Sequence, residues 1–248
     1  MFRSIMGLAR QLFTWSFTAL YVPGIIVVCL LTSRDKRTVT GPKLVRGWGK
    51  TILFNARVRV VRTPEAEAIL STRSPRVLTF NHSSTLDVPL GASLLPEGGV
   101  LVVKQEMRSI PFMGQGLAAL GTLFLNRGNR DQAYASLEEA GQRIQRESLQ
   151  VLIAPEGTRS SDGNLQPFKR GAFHLSHVSG VPIVPVVLHG CTTVWPMGKF
   201  APTPGTVTID VLPPMHVSDG SPEGLNAAAN TLREQYATAL AAGPSPSA

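Results

Sequence analysis

The run Asn81-His82-Ser83-Ser84-Thr85-Leu86-Asp87 carries an imidazole and a carboxylate five residues apart, directly after the apolar stretch Arg76 to Phe80. A strand emptying into such a loop is a common mount for a general base. On a continuous helix, five residues would turn Asp87 about 140° away from His82, so a helix has to begin between them. Ser84 suits an N-cap, and Ser84 to Asp87 has the spacing of a capping box with Asp87 in the first turn. From there Asp87 can turn back to the ring, fix its tautomer and leave the other nitrogen as a free base. The helix N-terminus would keep the imidazole neutral. A plainer reading also fits these residues: Asp87 as a cap and His82 as a loop histidine bonded to backbone.

A second strand-like run, Leu149 to Ala154, empties into Pro155-Glu156-Gly157-Thr158-Arg159. It brings another carboxylate and a guanidinium to the same edge of a sheet. Arg127 follows a third such run, Gly121 to Asn126. Strand ends are where open α/β sheets bind ligands, and arginine suits phosphate because it offers permanently charged, bidentate donors. Lys104, Arg130, Lys169 and Arg170 could add to a positive cavity, although each taken singly reads as a solvated surface charge.

Other motifs carry less. Gly114-Gln115-Gly116-Leu117-Ala118-Ala119 matches a loose dinucleotide fingerprint, but Ile110-Pro111-Phe112-Met113 precedes it where a strand is required. His174 and His177 have a metal-like spacing without a zincin carboxylate, so they read as surface or packing residues. Gly-x-Ser-x-Gly and a P-loop ending in Lys-Ser or Lys-Thr do not occur, which removes the central parts of a serine hydrolase or a nucleoside triphosphatase. Cys29 and Cys191 follow no metal or redox spacing, and a reducing compartment is the default.

These loops need a scaffold. Strand patterns fall at 57–62, 76–80, 100–104, 122–126, 149–154, 183–189 and 206–212, with helical patterns at 86–95, 113–120, 131–148 and 225–240. The alternation predicts an α/β domain whose central sheet is mixed, mostly parallel and flanked by helices, preceded by an N-terminal membrane-associated helical motif. The expected division is 1–56 for the membrane-binding segment, 57–242 for the catalytic domain and 243–248 for a disordered tail.

The formal net charge of +8 is unevenly spread. Residues 1–62 hold eleven Lys or Arg against one acid, Asp35, a net of +10, and residues 63–248 are left at −2. The basic part surrounds an uncharged stretch of 21 residues, Gln11 to Leu31. An anionic membrane is the natural partner, at about 1 kcal/mol of attraction per basic residue. No nucleic acid is expected, because the remaining chain lacks a basic platform. The stretch meets the ~20-residue length of a bilayer span, but Pro23-Gly24 lies in its middle. It is therefore either one kinked span or two half-length pieces that dip in and return. Leu44, Val45, Trp48, Ile52 and Leu53 recur at helical spacing over 43–56, as in an interfacial helix. A re-entrant or interfacial helical hairpin and a single anchor both satisfy the pattern. The Lys and Arg excess after the segment predicts a catalytic domain on the cytoplasmic face. The apolar run is long for a signal peptide and lacks a cleavage site after it, and Ile26-Val27-Val28 before Cys29 does not suit lipoprotein processing.

Taken in order, these residues resemble the glycerolipid acyltransferase family, whose best-known members are 1-acyl-sn-glycerol-3-phosphate acyltransferases. Asn81-His82 through Asp87 is similar to its catalytic block. Gly121 through Arg127 is similar to the second, with Lys104 and Pro111-Phe112-Met113-Gly114 upstream. Ala154-Pro155-Glu156-Gly157-Thr158-Arg159-Ser160, followed by Phe168-Lys169-Arg170-Gly171, is similar to the third, and Val181 through Val186 to the fourth. Ala154 stands where phenylalanine is frequent. The resemblance implies that His82 is the general base and Asp87 its orienting acid, with Arg127, Glu156, Gly157 and Arg159 at a glycerol-phosphate site beside Lys104 and Thr158. The fourth block would shape an acyl pocket, or is simply a buried strand with an edge kink. The implied reaction moves an acyl group from acyl-CoA or acyl-carrier protein to lysophosphatidate, with no metal or further cofactor. Another lysolipid or glycerol 3-phosphate as acceptor, or a non-catalytic protein that holds anionic lipid, are the alternatives.

Overall fold

The computed structural model describes residues 2–32, 34–111, 113–126, 130–160 and 162–245. Seven strands, β1 (Val58–Arg62), β2 (Arg76–Phe80), β3 (Gly99–Lys104), β4 (Leu123–Leu125), β5 (Gln150–Ile153), β6 (Ile183–His189) and β7 (Gly205–Val211), form one sheet in the order β1-β7-β6-β2-β5-β3-β4. Among the paired strands of the described residues, only β6 and β7 are antiparallel. The mixed, mostly parallel sheet read from the strand patterns is therefore the one formed.

Neighbouring side chains along each strand point to opposite faces, and both faces are buried. Leu78, Leu152, Val184 and Val186 join one core with Ile52 and Leu53 of α2 (Arg34–Asn55) and Leu90 of α4 (Asp87–Leu94). Val77, Val151, Ile183 and Val187 join the other with α6 (Arg130–Glu147), α7 (Gly171–Ser179) and α9 (Pro222–Ala242). Three further helices complete the layers: α3 (Pro64–Ser71), α5 (Met113–Ala119) and the single turn α8 (Cys191–Val194). Thr63 starts α3 by accepting the Ala66 N–H at 3.2 Å, and Ser221 starts α9 by accepting that of Gly224 at 3.0 Å; proline follows each cap.

At the N-terminus α1 (Phe2–Leu31) runs through Pro23 as one helix, so the two half-length pieces do not form. The chain reverses after Thr32 instead, and α2 returns along α1. Asn55 donates to the Thr14 hydroxyl at 2.7 Å and the Arg10 carbonyl at 3.0 Å, Trp48 to the Thr18 hydroxyl at 3.2 Å, and Tyr21 to the Leu44 carbonyl at 3.4 Å. Thr14, Thr18 and Tyr21 are spaced i, i+4, i+7 and share one helix face. Among the described residues, Ala9–Leu31 is the one helix long and apolar enough to cross a membrane. Gly114 and Gly116 lie inside α5, and a Cβ on Gly116 would sit 2.3 Å from Ile26 of α1.

Candidate active site

β2 and β5 are adjacent and parallel, so their C-terminal ends deliver the His82 loop and the Pro155–Arg159 loop side by side. His82 Nδ1 lies 3.1 Å from Asp87 Oδ2, and the Asp87 carboxylate is buried. The same oxygen accepts the Ser84 N–H at 2.8 Å. Ser84 is not the helix cap that the spacing predicts. Its hydroxyl accepts the Leu86 N–H at 3.0 Å and donates toward the carbonyls of Trp195 and Cys191, at 2.6 and 2.9 Å. The helix begins at Asp87, with Leu86 in the cap position. Only the reciprocal half of the capping box survives, the carboxylate reaching back to the Ser84 amide.

The backbone of His82 is held at both ends by the second loop. Glu156 Oε1 accepts its N–H at 2.6 Å, and its carbonyl accepts the Ser160 N–H at 2.9 Å. The other oxygen of Glu156 accepts the Gln166 N–H at 2.8 Å. Burial raises the Glu156 pKa against the opposing pull of these two amide bonds. Asn81 fixes the preceding residue by pairing both ends of its amide with Leu188 of β6, at 2.8 and 3.1 Å. Of the partners that hold the loop, Gln166, Leu188 and Trp195 were not singled out in the sequence, whereas Asn81 and Ser160 stand there only as members of the quoted blocks, without a role.

A cavity of about 270 Å³ opens against His82 and Asp87. Its walls include Val45 and Trp48 of α2, Gly91 of α4 and Leu101 of β3, with Lys104 exposed along it. A second cavity, about 350 Å³, shares Ile153, Ala154 and Gly157 with the first and is lined by Lys169, Arg170 and His174. Gly157 adopts φ 74°, a left-handed conformation that favours glycine. Thr158 and Arg159 are exposed on the same loop. Arg127 lies outside the described residues, and so does the side chain of Arg130. His174 is packed edge-on against Tyr134 at 4.6 Å, and His177 Nδ1 donates to the Val217 carbonyl at 3.1 Å. The Cys191 thiol is buried, and burial followed by the Asp87 charge pushes its pKa up.

A sequence model described as "Acyltransferase" matches residues 59–189, more than half of the chain and all of the loops above. The chain belongs to the acyltransferase family. A 1-acyl-sn-glycerol-3-phosphate acyltransferase of Limnanthes alba is 33% identical over 175 residues, 71% of this acyltransferase and 62% of the plant protein. The human 1-acyl-sn-glycerol-3-phosphate acyltransferase beta is 36% identical over 187 residues, 75% of the chain and 66% of its own length. The chain thus spans just under two thirds of these relatives. The crystal structure of the 1-acyl-sn-glycerophosphate (LPA) acyltransferase PlsC from Thermotoga maritima superposes with a TM-score of 0.75. That match covers 98% of this acyltransferase and 100% of the other chain at 25% identity.

Proposed function

We propose that this acyltransferase esterifies the free hydroxyl of lysophosphatidate, giving phosphatidate, with acyl-CoA or acyl-carrier protein as donor. The observation that carries the reading is the 3.1 Å contact of His82 Nδ1 with the buried Asp87 carboxylate at the end of an apolar cavity. With Nδ1 protonated toward Asp87, Nε2 is the base. It takes the hydroxyl proton, the oxygen bonds to the thioester carbonyl, the C–S bond breaks and the thiolate leaves with the proton from the imidazolium. Direct transfer needs no acyl-enzyme, metal or further cofactor. The commitment of the buried Ser84 hydroxyl to Trp195, Cys191 and Leu86 supports the reading without an acyl-enzyme at Ser84, because it leaves that group no nucleophilic role.

Arg127 and Arg159, with Lys104 and the Gly157–Thr158 backbone, grip the phosphate in this reading, and the cavity beside α2 takes an acyl chain. Glu156 serves the same site by holding the His82 amide. The hairpin, residues 1–56, binds the bilayer, and residues 57–242 carry out transfer on its cytoplasmic face. Support for the membrane contact comes from the exposed apolar side chains of α1, among them Leu12, Phe13, Leu20 and Leu31, in the most basic part of the chain. The decisive experiment is transfer of labelled acyl groups to a panel of lysolipids. His82→Ala is expected to lose at least ~10²-fold in kcat with lysophosphatidate. Wild-type turnover by that variant would overturn the mechanism.

A further inference from the structure

Downstream of α8 the chain makes a short projection, Pro196-Met197-Gly198-Lys199-Phe200, whose two ends touch unrelated parts of the molecule. Its inner end holds the catalytic loop. The Trp195 carbonyl accepts from the Ser84 hydroxyl at 2.6 Å and from the Thr85 N–H at 3.3 Å, and the Thr85 hydroxyl donates to Met197 Sδ at 3.6 Å. The buried Trp195 indole donates to the Lys199 carbonyl at 2.9 Å, and the Lys199 N–H to the Pro196 carbonyl at 3.3 Å, which close the projection into a tight turn. Gly198 turns the chain with φ 76°. At its outer end Phe200 is 64% exposed and lies 6.0 Å, ring to ring, from Trp15 of α1, itself 46% exposed. Lys199 beside it is exposed.

We propose that this projection is a second lipid-docking element. Phe200 enters the same bilayer surface as α1, and Lys199 meets its anionic headgroups. Two observations point to lipid as the occupant. The Phe200 ring continues the apolar face of α1 through Trp15, and the exposed Lys199 precedes it in the chain; aromatic residues with a basic neighbour suit the membrane–water boundary. The inner end gives the contact a consequence for catalysis. Seating Phe200 in lipid braces the Trp195 carbonyl and, through Ser84 and Thr85, the loop that aligns Asp87 with His82. The inference rests on the membrane reading of α1 above.

The experiment uses the full chain and vesicles of phosphatidylcholine and phosphatidylglycerol carrying brominated acyl chains. Phe200→Cys and Leu20→Cys, each labelled with a polarity-sensitive fluorophore, report depth at the projection and on α1; both native cysteines are buried, and unmodified protein gives the labelling background. Quenching at both positions is expected. Quenching at position 20 alone overturns the projection's role while leaving the membrane reading of α1 intact, and quenching at neither overturns both. In parallel, Phe200→Asp is expected to cut turnover of vesicle-borne lysophosphatidate about 10-fold, by loss of aromatic burial. It should leave turnover of a dispersed short-chain lysophosphatidate within about 2-fold, with Phe200→Trp restoring the vesicle rate. Equal losses on both substrates would make Phe200 a structural residue and sink the proposal.

Discussion

Glu156 is buried, and its two oxygens accept the backbone amides of His82 and Gln166. In Glu156→Gln one oxygen becomes an amide donor facing a backbone N–H, and a buried unsatisfied donor costs about 1–3 kcal/mol. If that cost falls on the alignment of His82, kcat drops about 10- to 100-fold while KM for lysophosphatidate stays within about 3-fold. Initial-rate kinetics at saturating donor measure both. A raised KM at unchanged kcat would instead make Glu156 a ligand of the acceptor. The pair His82 and Asp87 was legible in the sequence because one carboxylate within reach of one imidazole at a strand end leaves few arrangements. The partners that hold this pair were not legible. Backbone amides and carbonyls such as those of Gln166 and Trp195 have no residue type to read.

At the level of elements, the contact between α2 and α4 ties the N-terminal hairpin to the helix that Asp87 begins. A Cβ on Gly49 would lie 2.4 Å from the Pro89 carbonyl and 2.7 Å from the Ser93 nitrogen. Gly49→Ala gains up to about 1 kcal/mol in helix propensity but forces two backbones apart, and overpacking costs about 1–3 kcal/mol. The variant is expected to be less stable and less active. Denaturant unfolding in detergent, with turnover measured alongside, checks this, and a stabilised variant would contradict the packing. All seven strands were readable within two residues at each end, because runs buried on two faces leave an apolar signature. Helices α3, α7 and α8 were missed. α3 is eight residues long, α8 is a single turn, and α7 has the compact sequence GAFHLSHVS, in which six of nine residues are buried, two serines and a histidine among them, so that no polar face marks the period. Pro23 left two readings open in the sequence, and the single helix is the one formed. A proline forfeits one hydrogen bond, and α1 tolerates that loss where α2 and α5 pack along it.

The whole molecule should respond to mild acid through two buried histidines. Burial holds His174 and His189 below the ordinary value of 6.5, opposed by the charges of Glu138 and Asp210 respectively. Between the folded and unfolded values, the unfolded chain holds protons that the folded chain does not. Their stabilisation is complete above pH 6.5 and is lost as pH falls from there toward their folded values. Glu156, raised by burial, works in the opposite sense, and its window begins above the ordinary carboxylate value of 4.5. The melting temperature is expected to fall between about pH 7.5 and about pH 5.5, with a flatter slope in His174→Gln. An unchanged slope in that variant would remove His174 from the account. The order of strands has one more effect, on how the chain is made. β2 lies between β5 and β6, both later in the sequence, and Arg76 pairs with Gln150, 74 positions on. A nascent chain leaving the ribosome therefore releases α1 and α2 long before the strand bearing His82 has a neighbour to zip onto. On the membrane reading proposed above, the N-terminal hairpin emerges well ahead of any working enzyme, so biosynthesis itself gives it time to find a bilayer before catalysis is possible.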